Sequence, residues 1–269
     1  MNTRALADAS TMFRRSLRRM RRYPSLTLFI AGIPVVLLLL FVYVLGGALG
    51  ASLSGTATVS PGDDRAAYVA YVVPGILLIA VAGAGQGTAI SVAMDMTQGI
   101  IARFRTMAIA RSSVLAGHVL GAVLQTLAAT AIVVAVALAI GFRPTTGPVA
   151  WLAATGLLAL AAVAVSVLSV ALGLAANSVE TASNSPMFLT LLPFLGSGFV
   201  PTSSMPGPLA WFAEHQPFTP ITETLRGLLM GTPIGGSGVI AVAWCVGISA
   251  LGFLWAQRLY ERLPERPGA

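Results

Sequence analysis

The sequence contains no lysine and few charged residues of any kind. All sixteen basic side chains are arginines, and charged residues make up 9% of a chain that is 56% hydrophobic. Soluble domains average roughly 25% charged residues, so this composition predicts an integral membrane protein. A phosphate-binding P-loop requires its lysine, which excludes a standard site of that kind here. If ATP drives this protein, a separate chain binds the ATP.

Cysteine and titratable groups at membrane depth are also scarce. The single Cys245 lies in an apolar run, where it offers neither an internal disulfide nor a multi-cysteine metal site. We interpret it as a packing residue, and we expect no metal site, no catalytic site and no nucleic-acid partner. Ion-coupled transporters place ionisable residues within their spans, but the apolar windows of this chain contain none at their centres. Secondary transport and intramembrane catalysis are therefore poorly supported.

Two polar side chains are exceptions to this pattern. Gln86 either forms a hydrogen bond between helices or contacts a cargo molecule. His118 lies near one end of an apolar window, which favours a hydrogen-bonded interfacial histidine over a proton relay. The glycines at 83 and 87 form a G-x-x-x-G pattern that indicates close helix packing.

Charge-free windows predict an all-α membrane protein with six transmembrane helices, since a span needs about 20 apolar residues. The predicted spans lie near 26–50, 68–93, 113–140, 150–176, 185–200 and 237–257, within a transmembrane domain of residues 26–257. The segments 1–25, 95–111 and 258–269 hold seven, three and three arginines, whereas the remaining connections hold three in all. The positive-inside rule therefore places both termini and the segment 95–111 in the cytoplasm.

An amphipathic helix precedes the first predicted span. Over residues 5–22, Phe13 and Leu17 share an apolar face, and Arg14 and Arg18 fall largely on the opposite face. Such a helix lies in the membrane interface. It either anchors the first span on the positive side or also touches a soluble partner.

Residues 95–111, DMTQGIIARFRTMAIAR, mix charge with apolar side chains between two spans. A helix over 97–108 would place Ile100, Ile101 and Phe104 on one broad face with Arg103 and Arg105 beside it. One interpretation is an interfacial helix that lies on lipid headgroups. The other is a docking helix that inserts Phe104 into a groove of a cytoplasmic protein while the arginines fix its register. We call residues 95–111 the coupling segment.

Residues 201–231 are too proline-rich for a clean span and too apolar for an ordinary loop. Proline disfavours helix at the residue before it, so the segment divides into short pieces. Non-helical backbone at membrane depth persists only when it is buried or lines a cavity. We therefore predict two short helices, about 206–213 and 219–230, that re-enter or cover the outer leaflet. We call residues 201–231 the cap segment.

Two motifs resemble the type-2 ABC permease family, in its daunorubicin-resistance-like branch. The run 95–120 is similar to the family pattern D-x-x-x-G-x-x-x-R-F-R-x-x-P-x-x-R-x-x-V-L-x-G, except that Ala108 replaces the usual proline. The run 193–231 is similar to the family segment before the last span. The first motif matches at Asp95, Gly99, Arg103, Phe104, Arg105, Arg111, Val114, Leu115 and Gly117, and the second at Pro201, Met205, Pro206, Pro217, Thr219, Arg226 and Gly231.

The resemblance implies a half-transporter of the bacterial cytoplasmic membrane. Two six-span permeases, identical or sister chains, would pair among membrane lipids with two ABC ATPase subunits that bind ATP and Mg. It implies a connector helix with Phe13, Arg14, Leu17 and Arg18. It also implies ATPase coupling through Asp95, Gly99, Arg103, Phe104, Arg105 and Arg111, and an outer gate with Pro201, Met205, Trp211, Phe212, Pro217 and Arg226.

The cargo that the resemblance implies is a hydrophobic or amphiphilic compound. A drug or antibiotic is one alternative, and a cell-envelope lipid or glycolipid is the other. A non-transporting membrane sensor or scaffold on the same fold is a further alternative.

Overall fold

The computed structural model describes residues 24–46, 61–98 and 111–262, and these contain helices and no strand. Helix α1 is Pro24–Leu40 and continues as the π-helix Phe41–Leu45. The other elements, in chain order, are α2 (Pro61–Thr97), α3 (Arg111–Ala139), α4 (Pro148–Ala175), α5 (Val179–Asn184), α6 (Met187–Leu191), the 3₁₀ turns Leu192–Leu195 and Thr202–Ser204, α7 (Gly207–His215), α8 (Phe218–Met230) and α9 (Ser237–Arg262). The all-helical class is the one predicted from the sequence.

Four helices in the described part of the chain are long and apolar enough to cross a membrane. They are Arg65–Thr97, Ala116–Ala139, Pro148–Ala175 and Ser237–Glu261, and each coincides with one of the predicted spans. Helix α1 contributes a shorter apolar helix, Ile30–Leu45, at the position of the first predicted span. The predicted amphipathic helix over 5–22 lies outside the described residues.

The region of the fifth predicted span, 185–200, differs from a continuous helix. Helix α5 ends at Asn184, α6 covers Met187–Leu191, and a 3₁₀ turn covers Leu192–Leu195. Pro186 and Pro193 stand at the starts of the second and third pieces. Because proline has no backbone N–H and restricts the residue before it, each of them interrupts the helical hydrogen-bond ladder.

Helices α2 and α4 form the centre of the bundle. Within the most apolar window of each, 72% of the residues are buried inside the protein, whereas the share is 22% for α3 and for α9. A helix that is hydrophobic on all sides belongs in the interior, and the buried cluster includes Val69, Val72, Val73 and Ile76 of α2. The peripheral α9 exposes large apolar side chains such as Val239, Leu251 and Leu254, as expected of a surface in contact with lipid.

Two glycines allow α2 to approach the backbone that follows the 3₁₀ turn Leu192–Leu195. A Cβ atom added to Gly75 would lie 2.8 Å from both the Cα and the carbonyl oxygen of Gly198. By contrast, a Cβ at Gly83 or Gly87 would meet nothing within 4 Å. Gly83 and Gly87 therefore make no close helix contact here, and the glycines of α2 that do are Gly75 and Gly85, which lies against Ser169.

Candidate functional site

The cap segment contains two helices, α7 and α8, at the positions predicted for its two short helices. Pro208 stands in the first turn of α7 and Pro217 precedes α8 as its N-terminal boundary residue, where a missing N–H does not break the helix. Gly231 ends α8 in the left-handed conformation, with φ of 73°, which a residue with a side chain rarely adopts. Local turn chemistry thus divides this segment as the sequence predicts.

The two cap helices are buried to different degrees. Helix α7 exposes the apolar side chains of Leu209, Trp211 and Phe212, and the Trp211 ring stacks on His215 with centroids 4.7 Å apart. Helix α8 instead buries Ile221 and Leu225 in the core of the bundle. Helix α8 is therefore an integral part of the bundle, and α7 lies on its surface.

Arg226 of α8 is the centre of a polar node that joins three parts of the chain. Its Nη1 donates to Glu223 Oε1 at 2.6 Å, and its Nη2 donates to the carbonyl oxygens of Ser197 at 2.8 Å and Tyr71 at 3.1 Å. The guanidinium carbon lies 3.9 Å from the centre of the Tyr71 ring. We call Arg226, Glu223, Tyr71 and Ser197 the Arg226 node.

The contacts of the Arg226 node depend on the planar shape and the charge of the guanidinium group. Its planar fork supplies several donors at once, and it attracts the face of an aromatic ring. The side chain is only 12% exposed, so these charge-assisted hydrogen bonds are partly shielded from water. The node therefore fixes α8 both to α2 and to the backbone at Ser197.

A second set of hydrogen bonds holds the turn between α7 and α8. The Gln216 amide donates to the carbonyl oxygen of Leu192 at 3.1 Å, and the backbone N–H of Ser197 donates to Thr219 Oγ1 at 3.3 Å. The Thr219 hydroxyl in turn donates to the carbonyl oxygen of Ala213. Because Gln216 and Thr219 are buried, these bonds join the cap helices firmly to residues 192–197.

The loop between α3 and α4 covers the C-terminal end of α8. The Thr145 hydroxyl donates to the carbonyl oxygen of Met230 at 2.7 Å, and the Thr146 hydroxyl donates to that of Leu228 at 2.7 Å. The backbone N–H of Thr145 donates to the carbonyl oxygen of Leu229 at 3.2 Å. The last carbonyl groups of a helix have no partner within it, so this loop stabilises the end of α8.

The structure separates the predicted gate residues into different environments. Arg226 lies at the centre of its node, whereas Trp211 and Phe212 point outward from α7. Pro201 and Met205 flank the 3₁₀ turn Thr202–Ser204. The sequence does not predict Tyr71, Glu223 and Ser197 as partners of Arg226. The signal that it offers is that Arg226 is the one arginine of the cap segment.

A second polar contact lies at the other end of α2. His118 Nε2 of α3 is 3.2 Å from Asp95 Oδ2 in the last turn of α2, and the two side chains are 20% and 19% exposed. Tyr71 and Asp95 are 24 residues apart in α2, which corresponds to roughly 36 Å along a helix. That separation is comparable to the hydrocarbon thickness of a bilayer, about 30 Å.

Most of the predicted coupling and connector residues lie outside the described part of the chain. This applies to Gly99, Arg103, Phe104 and Arg105, and to Phe13, Arg14, Leu17 and Arg18. Arg111 is the first residue of α3. The roles of these coupling and connector residues stay predictions.

Gln86 joins α2 to α5. Its Nε2 donates to the carbonyl oxygen of Ser183 at 2.9 Å, which favours the interpretation as a hydrogen bond between helices, and a contact with cargo stays a prediction. Among the residues that the structure describes, no group of three or more His, Cys, Asp or Glu side chains could hold a metal ion. Cys245 lies buried in the core.

Comparison with known proteins identifies the family. Residues 8–230 match the model of the ABC-2 type transporter family, so this chain belongs to that family. It is 29% identical over 263 residues to the Daunorubicin resistance ABC transporter permease protein DrrB1 of Streptomyces coeruleorubidus, covering 96% of this chain and 88% of that relative. It is also 29% identical over 217 residues to the Probable doxorubicin resistance ABC transporter permease protein DrrC of Mycobacterium tuberculosis, covering 80% of this chain and 75% of that relative.

These relatives confirm the predicted resemblance to the daunorubicin-resistance-like permeases. Together with four helices able to cross a membrane, family membership makes this chain a multi-pass membrane protein and an ABC transporter permease.

Proposed function

We propose that this chain is the membrane subunit of an ATP-driven exporter in the bacterial cytoplasmic membrane. The observation that carries the proposal is the similarity over 96% of the chain to a permease named for daunorubicin resistance. The absence of lysine, and hence of a standard P-loop, supports an arrangement in which separate ATPase subunits bind ATP and Mg. The complete transporter contains two such ATPases and a second permease, identical or a sister chain.

The proposed topology has six spans with both termini in the cytoplasm. The arginine distribution supports this orientation, and α1, α2, α3, α4 and α9 account for five of the spans. The fifth in chain order is the interrupted region of α6 and the 3₁₀ turn Leu192–Leu195. In this topology the coupling segment is cytoplasmic, and the Arg226 node, at the opposite end of α2, lies on the outer side.

Helix α2 is the proposed route by which ATPase movement reaches the outer side. The coupling segment begins in the last turn of α2, and the Arg226 node attaches the first half of the same helix to α8. The buried position of α2 allows the helix to transmit a displacement to its neighbours. Dimerisation of the ATPase subunits would thus shift α2 and open the cap segment for release of cargo.

The proposed cargo is a hydrophobic or amphiphilic compound, with a drug or antibiotic as the first alternative. The names of the relatives support this choice, as does the absence of acids and arginines at the centres of the apolar windows. Export of a cell-envelope lipid or glycolipid is the second alternative. Proteoliposomes loaded with each class of cargo would separate the two.

The double variant Phe104→Ala with Arg105→Glu tests the coupling segment. We expect it to abolish stimulation of the co-expressed ATPase, because it removes the apolar anchor and reverses a register-fixing charge. Stimulation is measured as the ATPase rate of the purified complex relative to that of the ATPase alone.

A matched control changes the same residue types elsewhere in the chain. Phe253 is an exposed residue of α9, and Arg143 lies in the loop after α3. The variant Phe253→Ala with Arg143→Glu should retain stimulation. Unchanged stimulation in the Phe104 and Arg105 variant would show that the coupling segment does not dock with the ATPase, and would favour the interfacial interpretation.

A further inference from the structure

We propose that Asp95 and His118 are positioning residues that clamp the two ends of the coupling segment together. The inference rests on the proposed function, since it concerns how movement of the ATPase reaches the spans. Asp95 belongs to α2 and His118 to α3, and the coupling segment joins these two helices. The contact is 3.2 Å and crosses between helices that also pack against each other.

The position of Asp95 explains why it needs a partner. The C-terminal end of a helix carries a partial negative charge, so a carboxylate in the last turn is unfavourable. The last turn of α2 contains no basic residue. A partner comes from another element, since His118 Nε2 of α3 lies 3.2 Å from Asp95 Oδ2.

Partial burial makes this contact stronger than the same contact would be at the open surface. Both side chains are about four-fifths shielded from solvent, and shielded charges interact in a lower effective dielectric with less screening by salt. The contact brings residues 95 and 118 together even though 22 residues lie between them. While it holds, a force on the coupling segment acts on α2 and α3 together rather than on one helix alone.

The elements packed against α3 bring few other ionisable side chains to this contact. Helices α1 and α4 also pack against α3, and their described residues include no ionisable side chain. Tyr260 of α9 packs near Met96 and Val119, so it also faces this region. Asp95 is therefore the carboxylate that the His118 imidazole meets across the two helices.

The test uses the complex of this chain with its ATPase subunit in inside-out proteoliposomes. Doxorubicin is the transport probe, and the measured quantity is the amount transported per ATP hydrolysed, which we call the transport ratio. The variants are Asp95→Asn, His118→Gln, the two combined, and His118→Lys. Thermal unfolding of each complex shows whether the variant is folded.

We expect Asp95→Asn and His118→Gln each to lower the transport ratio about threefold or more, the effect of one lost polar contact. The double variant should be no worse than either single variant, because both remove the same interaction. His118→Lys should keep the transport ratio near the wild-type value, because its ammonium group can still donate to Asp95. A structural role alone would not be lost in His118→Gln and rescued in His118→Lys.

Losses that add in the double variant, or a transport ratio of His118→Lys as low as that of His118→Gln, would overturn the clamp. If the wild-type complex transports doxorubicin and all variants equal it, the clamp alone is wrong. If the wild-type complex neither transports the probe nor stimulates the ATPase, the proposed function fails and the clamp fails with it.

Discussion

Replacing Arg226 with methionine is expected to destabilise the protein by about 3 kcal/mol and to abolish transport. The figure is at the low end for the three hydrogen bonds of Arg226, since each bond to a charged group contributes about 1.5–3 kcal/mol, an unpaired buried acceptor adds a penalty, and the contributions of neighbouring bonds do not simply add. Ser197 is only 4% exposed, so water cannot readily replace the lost donor. The measurements are thermal unfolding in detergent and uptake of probe into proteoliposomes.

Two further variants separate charge from geometry in the Arg226 node. Arg226→Lys keeps the charge but cannot present the same planar fork to Glu223 and to two carbonyl groups, so we expect an intermediate loss. Glu223→Gln should have a small effect, because the Glu223 side chain is 38% exposed and its ion pair is partly screened. Arg226→Met with a wild-type unfolding temperature and wild-type transport would show that the node is dispensable.

The second large effect is expected for Gly75→Ala. The new Cβ would lie 2.8 Å from the Cα and the carbonyl oxygen of Gly198, and backbone atoms cannot rotate away as a flexible side chain can. Overpacking of this kind costs roughly 1–3 kcal/mol. Because the contact lies where α2 passes the backbone between Ser197 and Phe199, we also expect weaker transport. Thermal unfolding and transport assays measure the two effects.

Gly83→Ala is the matched control, since it makes the same change in the same helix. A Cβ at Gly83 meets nothing within 4 Å, and alanine is a better helix former than glycine by up to about 1 kcal/mol. We expect unchanged or slightly raised stability. Equal unfolding temperatures for the Gly75 and Gly83 variants would contradict the close approach of α2 to Gly198.

The amino-acid sequence predicts the parts of this fold that depend on local chemistry. Length and hydropathy place α2, α3, α4 and α9, because a span requires a long apolar run. Proline and glycine place the ends of α7 and α8, because their backbone limits act within a few residues. Length and hydropathy predict one helix over residues 185–200. The structure instead has shorter pieces there, because Pro186 and Pro193 interrupt the hydrogen bonds of the helix backbone.

The contacts of the candidate site depend on tertiary structure and are harder to predict. The carbonyl oxygens that accept from Arg226 belong to Ser197 and to Tyr71, 29 and 155 residues away. Asp95 and His118 each stand out in the sequence, but their pairing requires the ends of α2 and α3 to meet. Likewise, Gly83 and Gly87 of the G-x-x-x-G pattern face open space, whereas Gly75 makes the close contact with Gly198. Which glycine is approached depends on the face of the helix on which it lies and on the elements that pack there.

ATP-dependent uptake of doxorubicin into inside-out proteoliposomes tests the central claim most directly. The vesicles contain the co-expressed ATPase subunit with or without this chain, and Mg-ATP is added outside. If this chain is the permease of an ATP-driven drug exporter, uptake requires the chain, the ATPase and ATP hydrolysis together. Equal uptake with and without this chain, at equal ATPase content, would contradict that claim.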